Sequence, residues 1–333
     1  MRLSIALCTC NGERFLADQL ASYVSQIRLP DELVVCDDGS TDGTMAILEN
    51  FARNASFPIH LHRNVGRLGV GRNFERAACL CAGDIILFSD QDDIWHPQKL
   101  QRVENAFALN REIAALFCDA ELIDQSGFEL GRTVWQSHRF SPHLQRMMLH
   151  GYAIEVMLRV HPSPIGMSIA IRQESLSWLK PFPDNNIGYD RWAILLSAFV
   201  RQATIIPEVL AKYRQHGGNV SGGIQTTPLG NRLMSAVAKE PKETRQRRYL
   251  DRMRIYEALR SRLLEIDQVP NLERKLLLLD QKIKHLSRRA EMPFRRMYRV
   301  PYILRECVSL NYHRYSGGLL EILRDCVEKD RRY

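Results

Sequence analysis

An α/β fold with a mostly parallel central sheet flanked by helices is expected for the first half of this chain, on three observations. Short apolar runs alternate with stretches whose apolar residues recur at helical spacing. The runs end in acidic or small polar residues, and Gly-containing turn formers separate the elements. Strands alternating with helices of this length bury a parallel sheet on both faces.

Residues 3–9 read as the first strand, and 13–26 carry Phe15, Leu16, Leu20, Tyr23 and Val24 at helical spacing. Residues 33–36 form a second strand. It runs into Asp37-Asp38-Gly39-Ser40-Thr41-Asp42-Gly43-Thr44, which supplies a turn and a helix N-cap before the amphipathic stretch 45–51. Residues 59–61 are the third strand and 71–81 the third helix, followed by a strand at 84–88 and a helix at 97–109.

The fourth strand opens into Ser89-Asp90-Gln91-Asp92-Asp93-Ile94-Trp95. An Asp-x-Asp at a strand end puts two carboxylates on one face, at the strand's carboxyl end, where open α/β sheets bind ligands. Hard divalent cations that carry phosphates take a few carboxylate oxygens and leave the remaining positions to water and phosphate. The competing reading is that Asp90, Asp92 and Asp93 are solvated turn residues capping the next helix.

Two nucleotide-site classes are absent from the motifs. Gly66-x-x-Gly69-x-Gly71 has the wrong order for a dinucleotide fingerprint and follows the third strand rather than the first. No Gly-x-x-x-x-Gly-Lys-Ser/Thr occurs, which argues against a P-loop ATPase. Instead the first two strands end in Thr9-Cys-Asn11-Gly12 and Asp37-Asp38-Gly39-Ser40. A carboxylate there can accept from a pyrimidine ring N–H or a ribose hydroxyl, and the adjacent Gly lets the chain turn close to a ligand.

With these motifs the chain resembles a family 2 glycosyltransferase of the GT-A fold. The resemblance rests on Thr9-Cys-Asn-Gly12, Val34-Val-Cys-Asp-Asp-Gly-Ser-Thr-Asp42, Asn64 through Arg72-Asn73, Asp90-Gln-Asp-Asp93 and Asp190-Arg-Trp192, in that order. It covers roughly residues 1–223. Ser89-Asp-Gln-Asp-Asp-Ile-Trp95 and Tyr213-Arg-Gln-His-Gly-Gly-Asn219 are similar to bacterial rhamnosyltransferases of polysaccharide assembly, such as lipopolysaccharide O-antigen.

The resemblance implies an inverting transfer of a sugar from a nucleotide-diphosphate donor to an acceptor hydroxyl. Thr9, Asn11 and Asp38 would lie on the donor, with Asp37 supporting the turn. Asp90 and Asp92 would form the metal-binding pair, with Asp92 the direct ligand of Mg²⁺ or Mn²⁺, and Arg72 would reach the donor. Arg72 also reads as a surface residue of the third helix.

A single in-line displacement needs one carboxylate to take the acceptor proton. Asp190 heads the apolar stretch 192–200, where an Asp also serves as a cap or first-turn charge. The resemblance makes it the base. Tyr189 stands where the family often has His or Glu, and Tyr189, Trp192 and Gly166 would lie on the acceptor side. Gly166, in the strand-like segment 164–171, is also explained as a bulge glycine. Residues 204–213 read as another strand. By the resemblance, Arg214 and His216 after it would contact the diphosphate.

The 333-residue chain has a formal net charge of +8, unevenly spread. Residues 226–333 carry a net +11 and residues 1–225 a net −3. Three domain segments are expected: 1–110 for nucleotide, 111–223 for acceptor, and a basic helical extension at 224–333. Helices are expected at 243–264, 271–289 and 319–327. Phe294-Arg295-Arg296-Met297-Tyr298-Arg299 interleaves basic and apolar residues, as segments lying on anionic membranes do. A helical appendage with a solvated basic face explains it equally well. No nucleic-acid recognition motif accompanies the charge.

No small-residue cleavage site follows the first strand, so no signal peptide is expected. No uncharged apolar stretch of about 18 residues exists. The eight cysteines lack Cys-x-x-Cys spacing, which argues for reduced thiols rather than zinc. A cytoplasmic protein, peripheral on the inner face of the plasma membrane and acting on a lipid-linked saccharide, is the expectation. A catalytically silent scaffold of a polysaccharide assembly complex and a nucleotidyltransferase are the alternatives. The four carboxylates Asp38, Asp90, Asp92 and Asp190 weigh against the first. The lack of a basic Gly-rich loop after the first strand weighs against the second.

Overall fold

The structure is a computed structural model that describes residues 1–160, 164–183, 187–219, 245–293 and 295–327. Two compact units divide the chain: Met1–Ala153 with Pro162–Ile224, and Ile154–His161 with Gln225–Tyr333.

The first unit is built on one nine-stranded mixed sheet. Its strands are β1 (Leu3–Thr9), β2 (Glu32–Asp37), β3 (Ile59–Arg63), β4 (Ile85–Ser89), β5 (Ile94–Trp95), β6 (Ile113–Ile123), β7 (Glu129–Thr133), β8 (Ile169–Arg172) and β9 (Gln202–Arg214). Their order is β3-β2-β1-β4-β8-β6-β9-β5, with β7 on β6. The first four are parallel, as the alternation with helices requires, since parallel neighbours need crossover connections. Beyond β4 the direction changes: β8 runs antiparallel to both β4 and β6, while β6 and β9 are parallel. All of β2 and β4 and most of β1 are buried, which explains their near-continuous apolar runs.

The crossover helices Leu16–Val24, Thr44–Asn54 and Val70–Leu80 fall within a few residues of the expected bounds. Strand β6 has no counterpart in the sequence expectations. Ile-Ala-Ala-Leu-Phe-Cys-Asp-Ala-Glu-Leu-Ile suits a buried helix as well as a strand by periodicity, and only pairing with β8 and β9 decides. At 166 the expected strand starts late. Gly166–Ser168 is a 3₁₀ turn, and β8 begins at Ile169.

The second unit is helical. Arg245–Glu265 and Leu272–Ala290 are joined by a six-residue connection, followed by Val300–Val308, Asn311–Tyr315 and Leu319–Val327. Its interior is unusually ionic. Arg289 is fully buried, with Nε 2.7 Å from Asp325 Oδ2, Nη2 2.7 Å from Glu321 and Nη1 2.8 Å from Ser316 Oγ. Its guanidinium also lies over the Tyr249 ring, 4.4 Å from the centroid. A buried charge is tolerable only when paired this completely.

Two expectations about the extension are corrected. Segment 154–161, expected in the first domain, belongs to the second unit. There Tyr256 Oη donates to Met157 O (3.2 Å) and Lys282 Nζ to Leu158 O (2.9 Å), satisfying carbonyls near a helix end. Arg299 is not part of an exposed basic face: it is fully buried and donates to Pro293 O and Asp325 O. Phe294 and the expected boundary at 223/224 lie outside the described residues. Among the described residues no helix is long and apolar enough to cross a membrane.

Candidate active site

The motif residues gather at the carboxyl ends of β1, β2 and β4. Pairing places Thr9 beside Asp37 and Leu7 beside Ser89, so three loops leave the sheet at one edge. The loops are then laced together. Gln91 mimics a strand partner, accepting from Cys10 N (2.8 Å) and donating to Cys10 O (3.1 Å). A β-carbon on Gly12 would lie 2.2 Å from the Gln91 Oε1, so this crossing admits only glycine unless Gln91 moves.

Asp37 is buried and spends both oxygens on its own turn, accepting from Thr9 Oγ1 (2.9 Å), Ser40 N (2.9 Å) and the Ser40 hydroxyl. The Thr9 hydroxyl therefore points to Asp37 rather than outward. Asn11 sits at φ 51° and accepts from Thr41 N through its side chain (2.8 Å). Asp38 pins the loop after β3, accepting from Asn64 Nδ2 and Leu68 N (both 2.7 Å) and Gly69 N (3.0 Å). Arg72, on the helix after that loop, is half-exposed and lies 3.1 Å from Glu75.

The acidic cluster centres on Asp90, Asp92, Asp93 and Asp190. Burial and the neighbouring Asp92 and Asp190 carboxylates push Asp90 up to about 8. Burial, with Asp92 and Asp90 nearby, raises Asp93 well above the usual range, and burial also raises Asp190. Asp93 Oδ1 accepts from Arg214 N (3.1 Å), while its buried Oδ2 has no hydrogen-bond partner. Lys99 is the buried counter-charge: it donates to Met167 O (2.5 Å) and sits 3.6 Å from the Trp95 ring centroid, and burial lowers it to about 8. Neighbouring buried carboxylates repel one another, and a bound cation would relieve that repulsion. The hard oxygen donors and the orphaned Asp93 oxygen fit the chemistry of a divalent ion, for which Asp90 and Asp92 are the candidate ligands. Among the described residues no three His, Cys, Asp or Glu side chains form a ready cage. Phosphate and water would complete the shell, as is usual for Mg²⁺.

Asp190 lies in the first turn of the helix Tyr189–Val200, and its Oδ1 accepts from Arg191 N (2.7 Å). Gly188 precedes it at φ 77°, and a β-carbon there would stand 2.6 Å from Asp190 Oδ1. Glycine thus gives both the left-handed turn and the room for the carboxylate. Tyr189 is buried, stacked on Phe74 (4.1 Å between centroids), and Gly166 packs against it. A β-carbon at 166 would fall 1.7 Å from the Tyr189 hydroxyl and 3.3 Å from Asp90 Oδ2. Gly166 therefore sits between the Tyr189 hydroxyl and Asp90.

Two expected site residues are spent elsewhere. Trp192 is buried and its indole N–H donates to Leu179 O (3.0 Å), a core role rather than a place on the acceptor side. Arg214, 2% exposed, is a clamp and not a diphosphate contact. It donates to Asp92 O (2.9 Å) and Gln125 O (3.3 Å), and pairs with Asp18 (2.9 Å). His216 does reach the cluster, with Nε2 2.7 Å from Asp92 Oδ2. Gln91, Asp93 and Lys99 support the site without having been singled out for it; all three lie in or beside the Asp90–Trp95 motif, which was the available signal.

Residues 4–160 match the family described as Glycosyl transferase family 2. An uncharacterized glycosyltransferase of Nostoc sp. is 26% identical over 223 residues, 66% of each chain, just short of two thirds of its length. The dTDP-rhamnosyl transferase RfbG of Shigella flexneri is 34% identical over 31% of this chain and 37% of its own. A UDP-Glc:alpha-D-GlcNAc-diphosphoundecaprenol beta-1,3-glucosyltransferase, WfgD of Escherichia coli, is 24% identical over 68% of this chain and 88% of its own. Among solved structures, the mannosyltransferase PcManGT of Pyrobaculum calidifontis in complex with GDP-Man and Mn²⁺ superposes with a TM-score of 0.56. At 16% identity, over 98% of this chain and 86% of that one, the likeness speaks for the fold alone. The sheet, the strand-end carboxylates and these relatives agree: residues 4–160 carry a glycosyl transferase family 2 domain, and the first unit has the GT-A fold of a glycosyltransferase.

Proposed function

We propose that the first unit moves a sugar from a nucleoside-diphosphate donor to an acceptor hydroxyl with inversion, in a metal-dependent single displacement during cell-surface polysaccharide assembly. The observation that carries this reading is the gathering of Asp90, Asp92, Asp93 and Asp190 beyond the carboxyl ends of the parallel strands, with His216 on Asp92. Asp90 and Asp92 would hold Mg²⁺ or Mn²⁺; when bound, the ion supplies a Lewis acid for the leaving diphosphate. His216 orients Asp92, and Asp38 shapes the loop that faces the nucleoside. Asp190 takes the proton of the acceptor hydroxyl as its oxygen bonds to the anomeric carbon and the bond to the diphosphate breaks. A carboxylate raised by burial is a better base near neutral pH than an exposed one.

Rhamnose is the first donor sugar to test, because the Shigella relative carries that name. A lipid-linked acceptor is supported by the name of the Escherichia coli relative, and it would bring the enzyme to a bilayer through its helical unit, in the cytoplasm. The experiment is a hydrolysis and transfer screen across nucleotide sugars, with and without Mn²⁺. Metal-dependent release of nucleoside diphosphate from one donor supports the reading; no turnover of any donor overturns it.

A further inference from the structure

The stretch 295–327 of the helical unit separates its charges by sign. Its three acidic residues are all paired with cationic partners, Glu306 and Asp325 buried and Glu321 partly so. Glu306 meets His285 (2.5 Å) and Arg288 (2.7 Å), while Glu321 and Asp325 meet Arg289 (2.7 Å each). Arg295, Arg296, Arg305 and Arg314 are exposed. The exposed charge of this stretch is therefore basic only.

The same stretch leaves large apolar side chains in water. Val300, Leu304 and Val308 recur every four residues on one nine-residue helix, and Leu319, Leu323 and Val327 on another, all 40–85% exposed. Residues four apart share a helix face, so each set forms one stripe. Ile303 and Ile322, about a quarter turn round each helix from its stripe, join a core with Met292 and Tyr312, which leaves both stripes on the solvent side.

We propose that this two-helix face seats on an anionic lipid surface, with the apolar stripes entering the headgroup boundary and Arg295, Arg296, Arg305 and Arg314 on lipid phosphates. This deepens the membrane contact proposed above by assigning its residues. Basic residues beside Leu and aromatic side chains, on helices too short to span, are what an interfacial helix requires. Glu306 and Asp325 are buried and Glu321 is tied to Arg289, which adds charge complementarity, because a free exposed carboxylate would be repelled by the same surface.

The test uses the full-length protein and sedimentation with phosphatidylcholine vesicles, with and without phosphatidylglycerol. The parent is expected to bind the anionic vesicles alone, and less as salt shortens the Debye length. Each Arg at such a surface is worth about fivefold in partition, so Arg295→Glu with Arg296→Glu should weaken binding roughly 25-fold or more. Val308→Glu with Leu323→Glu should weaken it separately, while Arg274→Glu, an exposed change elsewhere in the unit, should not. All variants should keep donor hydrolysis, so loss of vesicle binding is read independently of the proposed chemistry. Equal binding to neutral vesicles, or parent-like binding by both double variants, would overturn the proposal. So would a concentration-dependent dimer that these substitutions abolish, since the face would then belong to a second copy. The parent's dependence on lipid charge keeps the test decisive if a variant fails to fold.

Discussion

His216 Nε2 lies 2.7 Å from Asp92 Oδ2, across 124 residues of sequence. The ring is held on both sides: Phe15 packs against it at 4.8 Å, and Gly218 N donates to Nδ1 (3.1 Å). With Nδ1 accepting, the proton of a neutral imidazole belongs on Nε2 and points at Asp92. His216 is therefore a positioning residue for the candidate metal ligand.

Removing such an orienting partner typically costs about 10–100-fold in metal affinity. His216→Ala should shift the Mn²⁺ dependence of transfer by that much and leave saturated nucleotide binding near normal. Asp92→Ala should abolish both metal-dependent nucleotide binding and transfer, with the fold intact by circular dichroism. Turnover that is EDTA-insensitive in Asp92→Ala would sink the metal assignment.

Asp190→Asn keeps the size and the hydrogen bond to Arg191 N but cannot take a proton. Loss of a general base costs roughly 10²–10⁴-fold in rate, so kcat should collapse while donor affinity holds. Transfer within a few-fold of the parent would show that Asp190 serves the helix and not the reaction.

Gly188→Ala tests the same carboxylate through the backbone. The left-handed φ costs a non-glycine residue roughly 1–2 kcal/mol, and the new methyl collides with Asp190 Oδ1. Turnover should fall well beyond what the loss in Tm explains. A variant that is only less stable, with parental kcat at low temperature, would contradict this.

The helical unit should weaken in acid. Burial alone would raise the Glu321 carboxyl, but Arg289 and Arg324 outweigh it and hold it at about 2. A carboxyl depressed in the folded state contributes stability above its unfolded pKa near 4.5, and loses that contribution as pH falls toward 2. The linked stability is on the order of 3 kcal/mol. Glu321→Gln should lower the urea midpoint at pH 7 and flatten its dependence between pH 5 and 3. An unchanged pH slope would remove Glu321 from the linkage.

Much of this protein was legible before folding. Period-two and period-3.6 apolar patterns are local, so β1 to β4 and their crossover helices could be read from residues a few positions apart. The Asp-x-Asp-Asp cluster was visible because its members are sequence neighbours at a strand end. What only the tertiary structure decided are the pairings over long separations. It turned β8 antiparallel, drew the ambiguous run Ile113–Ile123 into a strand, and brought His216 to the Asp92 carboxylate while Arg214 took the Asp92 carbonyl. It also buried Arg289 and Arg299, which composition counts with the solvated basic residues. Charge and motif are properties of the chain. Whether an arginine meets water, a carbonyl or a carboxylate depends on which partners packing delivers, because a buried charge persists only where those partners are supplied.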